Sequence, residues 1–244
     1  MTPNLRSALW LGFFAAILAS WAWLYMMAEM AGLDLAGRVR APNMMPLTTF
    51  GTLFPMWAVM MAAMMLPTMV PTLTTYETLM VSADGTRAGW VGVLLGYLVV
   101  WIGFAGLISA AQLGLLALGW VDDLGLATNR WLGAGLLIAV GAFQFTRAKE
   151  VCHGVCHAPM HFFLGHWRTG FSGGLRMGLR LGAFCVGCCW GFMALGFVGG
   201  TMSLLWMGLA TLFMVFEKLP QIGHRLIRPA GWALIAGGLA VALT

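Results

Sequence analysis

Hydrophobic residues in this chain come in long runs separated by short polar links. The runs predict helices near residues 8–28, 51–80, 89–118, 131–147, 175–198, 201–217 and 229–243. Most approach the roughly 20 apolar residues that carry a helix across a bilayer. The last three rest on short runs divided by Gly199-Gly200 and by a link holding Glu217, Lys218, His224, Arg225 and Arg228. The final run is barely long enough, so the count is six or seven. The first run exceeds the roughly 7–15-residue core of a signal peptide and reads as an uncleaved helix. The fold class expected is an all-α polytopic membrane helix bundle, one integral membrane domain over residues 1–244.

Composition agrees, with 61% hydrophobic and only 9% charged residues against about 25% charged in a soluble domain. With seven spans and a cytoplasmic N-terminus, the inner links hold Arg6, Arg87, Arg147, Lys149, Arg168, Arg176, Arg180, Lys218, Arg225 and Arg228. The outer links hold only Arg38, Arg40 and Arg130. This asymmetry favours an N-in orientation, as in the inner membrane of a bacterium. The net charge of +5 is then a topology signal, not a nucleic-acid surface, because the basic residues lie beside spans. Five cysteines without an extracellular pairing pattern argue against a disulfide scaffold. No internal repeat or domain linker stands out. Nor is there a Gly-x-x-x-x-Gly-Lys-Ser/Thr loop, which speaks against active pumping by this chain alone.

The densest chemistry lies in the fifth run, Cys185-Val-Gly-Cys188-Cys189-Trp190. On a helix the spacing i, i+3, i+4 gathers three sulfurs within roughly 100° of one face. Soft ligands at membrane depth point to copper(I) or to thiol redox chemistry; a single buried cysteine, by contrast, is usually an inert small hydrophobe. Gly174, Gly178 and Gly182 form a ladder near the same face, so the thiols face a tightly packed helix. By depth, the second run is the expected neighbour, forming one intramembrane sulfur site with it.

That second run carries two methionine stripes, Met56, Met60, Met64 and Met61, Met65, Met69, with Met44 and Met45 in the link before it. Thioethers coordinate copper(I) without exchanging protons and weakly enough to let it move on. The bland alternative is that methionine merely fills the core. Pro67 and Pro71 should kink this helix and free carbonyls. Glu77, beyond the kink, reads as a solvated interfacial carboxylate.

Between the fourth and fifth runs lies Lys149-Glu150-Val-Cys152-His153-Gly-Val-Cys156-His157-Ala-Pro159-Met160-His161. If helical, it sets a thiol stripe, Cys152 and Cys156, beside an imidazole stripe, His153 and His157, with His161 one turn on. Pro159 limits that helix. The spacing matches neither haem attachment nor a usual zinc finger. Copper or zinc could bind here on the inner side; the alternative is packed cysteines and wet histidines. His166 and His224 stand alone and read as solvated.

Together these residues resemble a family of predicted metal-binding integral membrane proteins, sometimes labelled copper chaperones. The resemblance rests on Trp57…Met60-Met61-Ala62-Ala63-Met64-Met65-Leu66-Pro67, Lys149…Cys152-x-x-x-Cys156…Pro159, Trp167-Arg168, Cys185-Val-Gly-Cys188-Cys189-Trp190 and Glu217-Lys218. The family usually has arginine where this chain has His157.

The function expected is copper(I) handling by a transporter or intramembrane chaperone, with a cuproenzyme or copper chaperone as partner. Metal would pass Met44 and Met45, step along Met56, Met60 and Met64, rest on Cys185, Cys188 and Cys189, and leave through Cys152, Cys156 and nearby histidines. Two rivals remain open. One is a membrane thiol oxidoreductase using Cys185 and Cys188; the other is an assembly subunit in which sulfur only packs.

Overall fold

A computed structural model describes residues 3–42, 47–219 and 222–243. Its elements are helical: α1 (Pro3–Met30), α2 (Phe50–Met65), a 3₁₀ turn (Pro67–Met69), α3 (Val70–Ser82), α4 (Arg87–Ala117), α5 (Arg130–Phe143), α6 (Arg147–His157), α7 (Pro159–His166), α8 (Gly170–Ala194), α9 (Gly196–Gly199), α10 (Leu204–Glu217) and α11 (Gly223–Leu243). Five stretches are long and apolar enough to cross a membrane: Asn4–Met30, Phe50–Ser82, Arg87–Ala117, Gly170–Gly199 and Gly223–Leu243. α5 and α6 together would make a sixth, bent by 67°, and α10 is a shorter apolar helix. The all-α bundle expected from the hydrophobic runs is therefore present.

Polar links start the helices by capping them. The side chains of Thr86, Asn129, Thr146 and Ser203 accept from the backbone N–H groups of Gly89, Trp131, Lys149 and Trp206. Each satisfies a donor that the first helical turn leaves free.

Proline ends α2 as expected. Pro67 has no N–H to offer the carbonyl of Ala63, four residues back. Trp21 of α1 supplies the missing donor, Nε1 to Ala63 O at 3.1 Å. Thr68 Oγ1 donates to Met65 O at 2.8 Å, so the break is hydrogen-bonded yet buried.

The partner of the glycine ladder is α4, where depth alone had pointed to the second run. A methyl group on Gly174 or Gly178 would sit 2.1 Å from Gly89 O or Val93 O. In return, one on Gly92 or Gly96 would meet Phe171 O or Leu175 O at 2.4 or 2.3 Å. The two backbones touch along parallel helices, which only glycine allows. α2 runs antiparallel beside α4, joined by Trp57 Nε1 donating to Gln112 Oε1 at 2.7 Å.

At one end of the bundle Glu77 is not the solvated carboxylate expected. It accepts from Arg6 Nε, Trp10 Nε1 and Arg87 Nη1 at 3.0, 3.1 and 3.0 Å, tying α1, α3 and α4 together. At the other end two links share one turn, a local repetition not expected from the sequence. Asp34 Oδ1 accepts from the N–H groups of Ala36 and Arg38, and Asp122 Oδ1 from those of Leu124 and Leu126. Gly37 and Gly125 take positive φ, 77° and 74°, three residues after each aspartate. The bond from Arg38 N–H holds the Asp34 carboxyl below its ordinary value. Both turns dock on the α9–α10 junction, through Leu205 N to Leu35 O and Ala127 N to Phe197 O at 2.8 Å each.

Substituting Gly178→Ala should push α4 and α8 apart at a cost of about 1–3 kcal/mol, seen as a lower unfolding midpoint in detergent. Gly103→Ala on α4, where nothing lies within 4 Å of the added methyl, should leave the midpoint unchanged. Equal effects from the two would refute the close-contact account.

Candidate metal centre

The glycine approach decides what the thiols meet. α8 carries Cys185, Cys188 and Cys189, all buried, and α4 presents Tyr97, whose hydroxyl lies 3.0 Å from Cys185 Sγ. α6 brings a fourth sulfur. Capped by Thr146 and stopped before Pro159, α6 turns away from α5 and packs on α8, so that Cys156 Sγ lies 3.8 Å from Cys188 Sγ. Cys189 Sγ is 3.3 Å from Cys188 Sγ. The sulfurs of Cys156, Cys185 and Cys188 all lie within 4.8 Å of one another. All five cysteines are free thiols.

These separations fit a soft ion. With metal–sulfur bonds of about 2.3 Å, a trigonal centre needs sulfurs about 4 Å apart. Cys156 and Cys188 already stand at that spacing, and Cys185 needs to close by less than 1 Å. Three buried thiols with no carboxylate among them are a donor set for copper(I) or zinc, not for magnesium or calcium.

Two lysines that the sequence analysis counted among the inner links are instead inside the bundle. Lys218 donates to Cys185 Sγ at 3.1 Å and to Thr68 Oγ1 at 2.8 Å. Thr68 Oγ1 is in turn 3.3 Å from the Tyr97 hydroxyl. Lys149 is fully buried, donates to Cys188 O at 2.9 Å and forms an ion pair with Glu217. The arginines of those links remain to carry the charge asymmetry. Lys218 places a cation where coordinated thiolates would accumulate negative charge. A buried ionisable group is costly unless paired, and intramembrane charges usually mark a working site. Lys149, Thr68, Tyr97, Glu217 and Lys218 were not among the predicted site residues. The signal was present in part: Lys149 shares a helical face with Cys152 and Cys156.

The predicted histidines divide. His153 is buried and donates from Nε2 to Glu217 O at 2.8 Å. His157 stacks on it with ring centres 5.1 Å apart. Both line an open cleft of ≈ 580 Å³ shared with Gln144, His224 and Arg228. α6 thus turns sulfur toward α8 and imidazole toward the cleft. Cys152, half-buried, faces α8 at Gly187. His161 is exposed on α7 and is not brought into this group. His166 and His224 are exposed, as expected, but neither stands alone: His166 stacks on Phe162 and His224 lines the cleft.

Met56, Met60, Met61, Met64, Met65 and Met69 are all buried. The second run meets this group at its broken segment, where Thr68 contacts Lys218 and Tyr97. Met60 and Met64 face α8 further along, near Phe192 and Met193. Met44 and Met45 lie outside the described residues.

Neither a curated protein nor a solved structure matches this chain. A family model described as PpoB2, copper chaperone, matches residues 54–241, well over half of the sequence and every residue of the thiol centre. The chain therefore belongs to the PpoB2 copper chaperone family.

Proposed function

We propose that this protein is a copper(I)-handling integral membrane protein, a transporter or intramembrane chaperone of a bacterial inner membrane with its N-terminus in the cytoplasm. Copper(I) is its cargo and Cys156, Cys185 and Cys188 are its central ligands, with Cys189 beside them. The observation that carries this is three buried sulfurs from two helices within 4.8 Å of one another, in a chain of a copper chaperone family. Zinc is the alternative ion, since Cys189 could complete a four-sulfur set.

Ligation replaces three S–H bonds by metal–sulfur bonds and releases the protons. Lys218 then offsets charge at Cys185, while the Lys149–Glu217 pair holds α6 and α10 in place around the centre. Metal arriving along Met56, Met60 and Met64, with Met61 and Met65 on the adjoining stripe, passes from neutral thioethers to thiolates. It leaves past Cys152 and the His153–His157 pair, which lines the cleft shared with His224, and His161 on the neighbouring helix is the outermost candidate. Rising donor strength favours inward movement. A cuproenzyme or a soluble copper chaperone is the partner this route serves.

Purified Cys188→Ser protein should retain little of the copper(I) that the wild-type chain binds. Wild-type metal content in that variant would end the proposal, and a Cys185–Cys188 disulfide cycling with turnover would favour the oxidoreductase instead. Lys218→Met should weaken copper(I) binding by about 10–100-fold, the usual effect of removing an outer-shell partner, in competition titrations with a chromophoric chelator. For the buried ion pair, Glu217→Leu alone should cost about 3–5 kcal/mol by stranding Lys149. The double variant Lys149→Met/Glu217→Leu should recover most of that in thermal unfolding. A double variant no more stable than the single one would show that the pair does more than neutralise itself.

A further inference from the structure

A small gap of ≈ 10 Å³ lies between α2, α8, α9 and α10, walled by Met60, Met64, Met193, Met207, Phe192 and Trp206 among others. All four methionines are buried. Their thioethers come from three helices: two from the methionine stripe of α2, one from α8 and one from α10. Met193 follows Cys189 by four residues, so it lies about 6 Å further along α8. Phe192, in the same wall, has the Lys149 ammonium 5.6 Å from its ring centre on the thiol side. The gap therefore lies about one helical turn beyond Cys189 along α8.

We propose that Met60, Met64, Met193 and Met207 form a second site, made only of thioethers, for a monovalent soft cation. Methionine used as filler closes space by rotating its three flexible bonds. Here four such side chains surround a space left open, about the size of one small guest. No carboxylate, imidazole or ammonium lines it. A divalent or strongly hydrated ion would lose its water shell there for no compensating charge. Copper(I) or silver(I) is soft enough to accept neutral thioethers, carries a single charge and needs few ligands. No proton is released, because thioethers carry none. The site would hold the ion one step before the thiols, and Met193 and Met207 extend the path beyond the second run.

The inference rests on the proposed function only for the choice of ion, and two variants separate the two. Silver(I), a redox-inert stand-in for copper(I), is titrated into the full chain in detergent and bound metal is counted. Selenomethionine-labelled protein adds a selenium absorption edge that reports a silver neighbour directly. Wild type should bind two silver ions and show a selenium–silver shell. Met193→Leu/Met207→Leu, which nearly conserves volume, should bind one and lose that shell. Cys185→Ser/Cys188→Ser should bind one and keep it. Unchanged silver content and an unchanged shell in the methionine variant would overturn the thioether site. Unchanged content in the cysteine variant would instead overturn the thiol centre and leave this site standing.

Discussion

Everything around the thiols hangs on two helix backbones in contact. Glycines at Gly92 and Gly96 on α4 and at Gly174 and Gly178 on α8 let the chains approach until a single added methyl group would overlap a carbonyl. In a membrane there is little hydrophobic gain from bringing helices together, so close packing of small residues is what holds them. The consequence is chemical as well as mechanical. Tyr97 is carried to within 3.0 Å of Cys185, and α6 and α10 close on the same group through Cys156 and Lys218. A wider α4–α8 separation would break the Tyr97–Cys185 contact and loosen the wall behind the sulfurs.

Charge is the second constraint. Lys149, Glu217 and Lys218 lie within the bundle at 0%, 1% and 5% exposure, which an apolar interior tolerates only when partners are fixed in advance. Here the partners are one another, the Cys185 sulfur, the Thr68 hydroxyl and the Cys188 carbonyl. The same contacts link α6, α8, α10 and the break in the second run. The groups that balance a coordinated cation are thus also the groups that lock its ligands in place.

Breaks in the helices serve the same end. The 67° bend between α5 and α6 takes Cys156 out of a link and into the bundle. Pro67 interrupts α2 at the level where Thr68 meets Lys218 and Tyr97. Irregular backbone at membrane depth survives only where protein satisfies it, and Trp21 and Thr68 do so here. Further along, the unbroken part of α2 turns Met60 and Met64 toward Met193 and Met207.

Local patterns were readable because they depend on near neighbours in the chain. Apolar runs marked the helices, Pro67 and Pro159 marked their ends, and the i, i+3, i+4 spacing placed three thiols on one face of α8. The four-residue repeat of Cys152 and Cys156 likewise gave a sulfur face to α6. What stayed hidden was every choice of partner between distant segments. Depth alone pointed the thiols to the second run, but the glycines on α4 were the better fit and only three-dimensional packing weighs one helix against another. Lys149 and Lys218 stand in motifs that carry the family resemblance, yet by hydropathy they fell in polar links, because hydropathy scores a charge without its counter-charge. Their burial follows from Glu217, Thr68 and Cys185, which lie 33 to 150 positions away and meet them only once the bundle has closed.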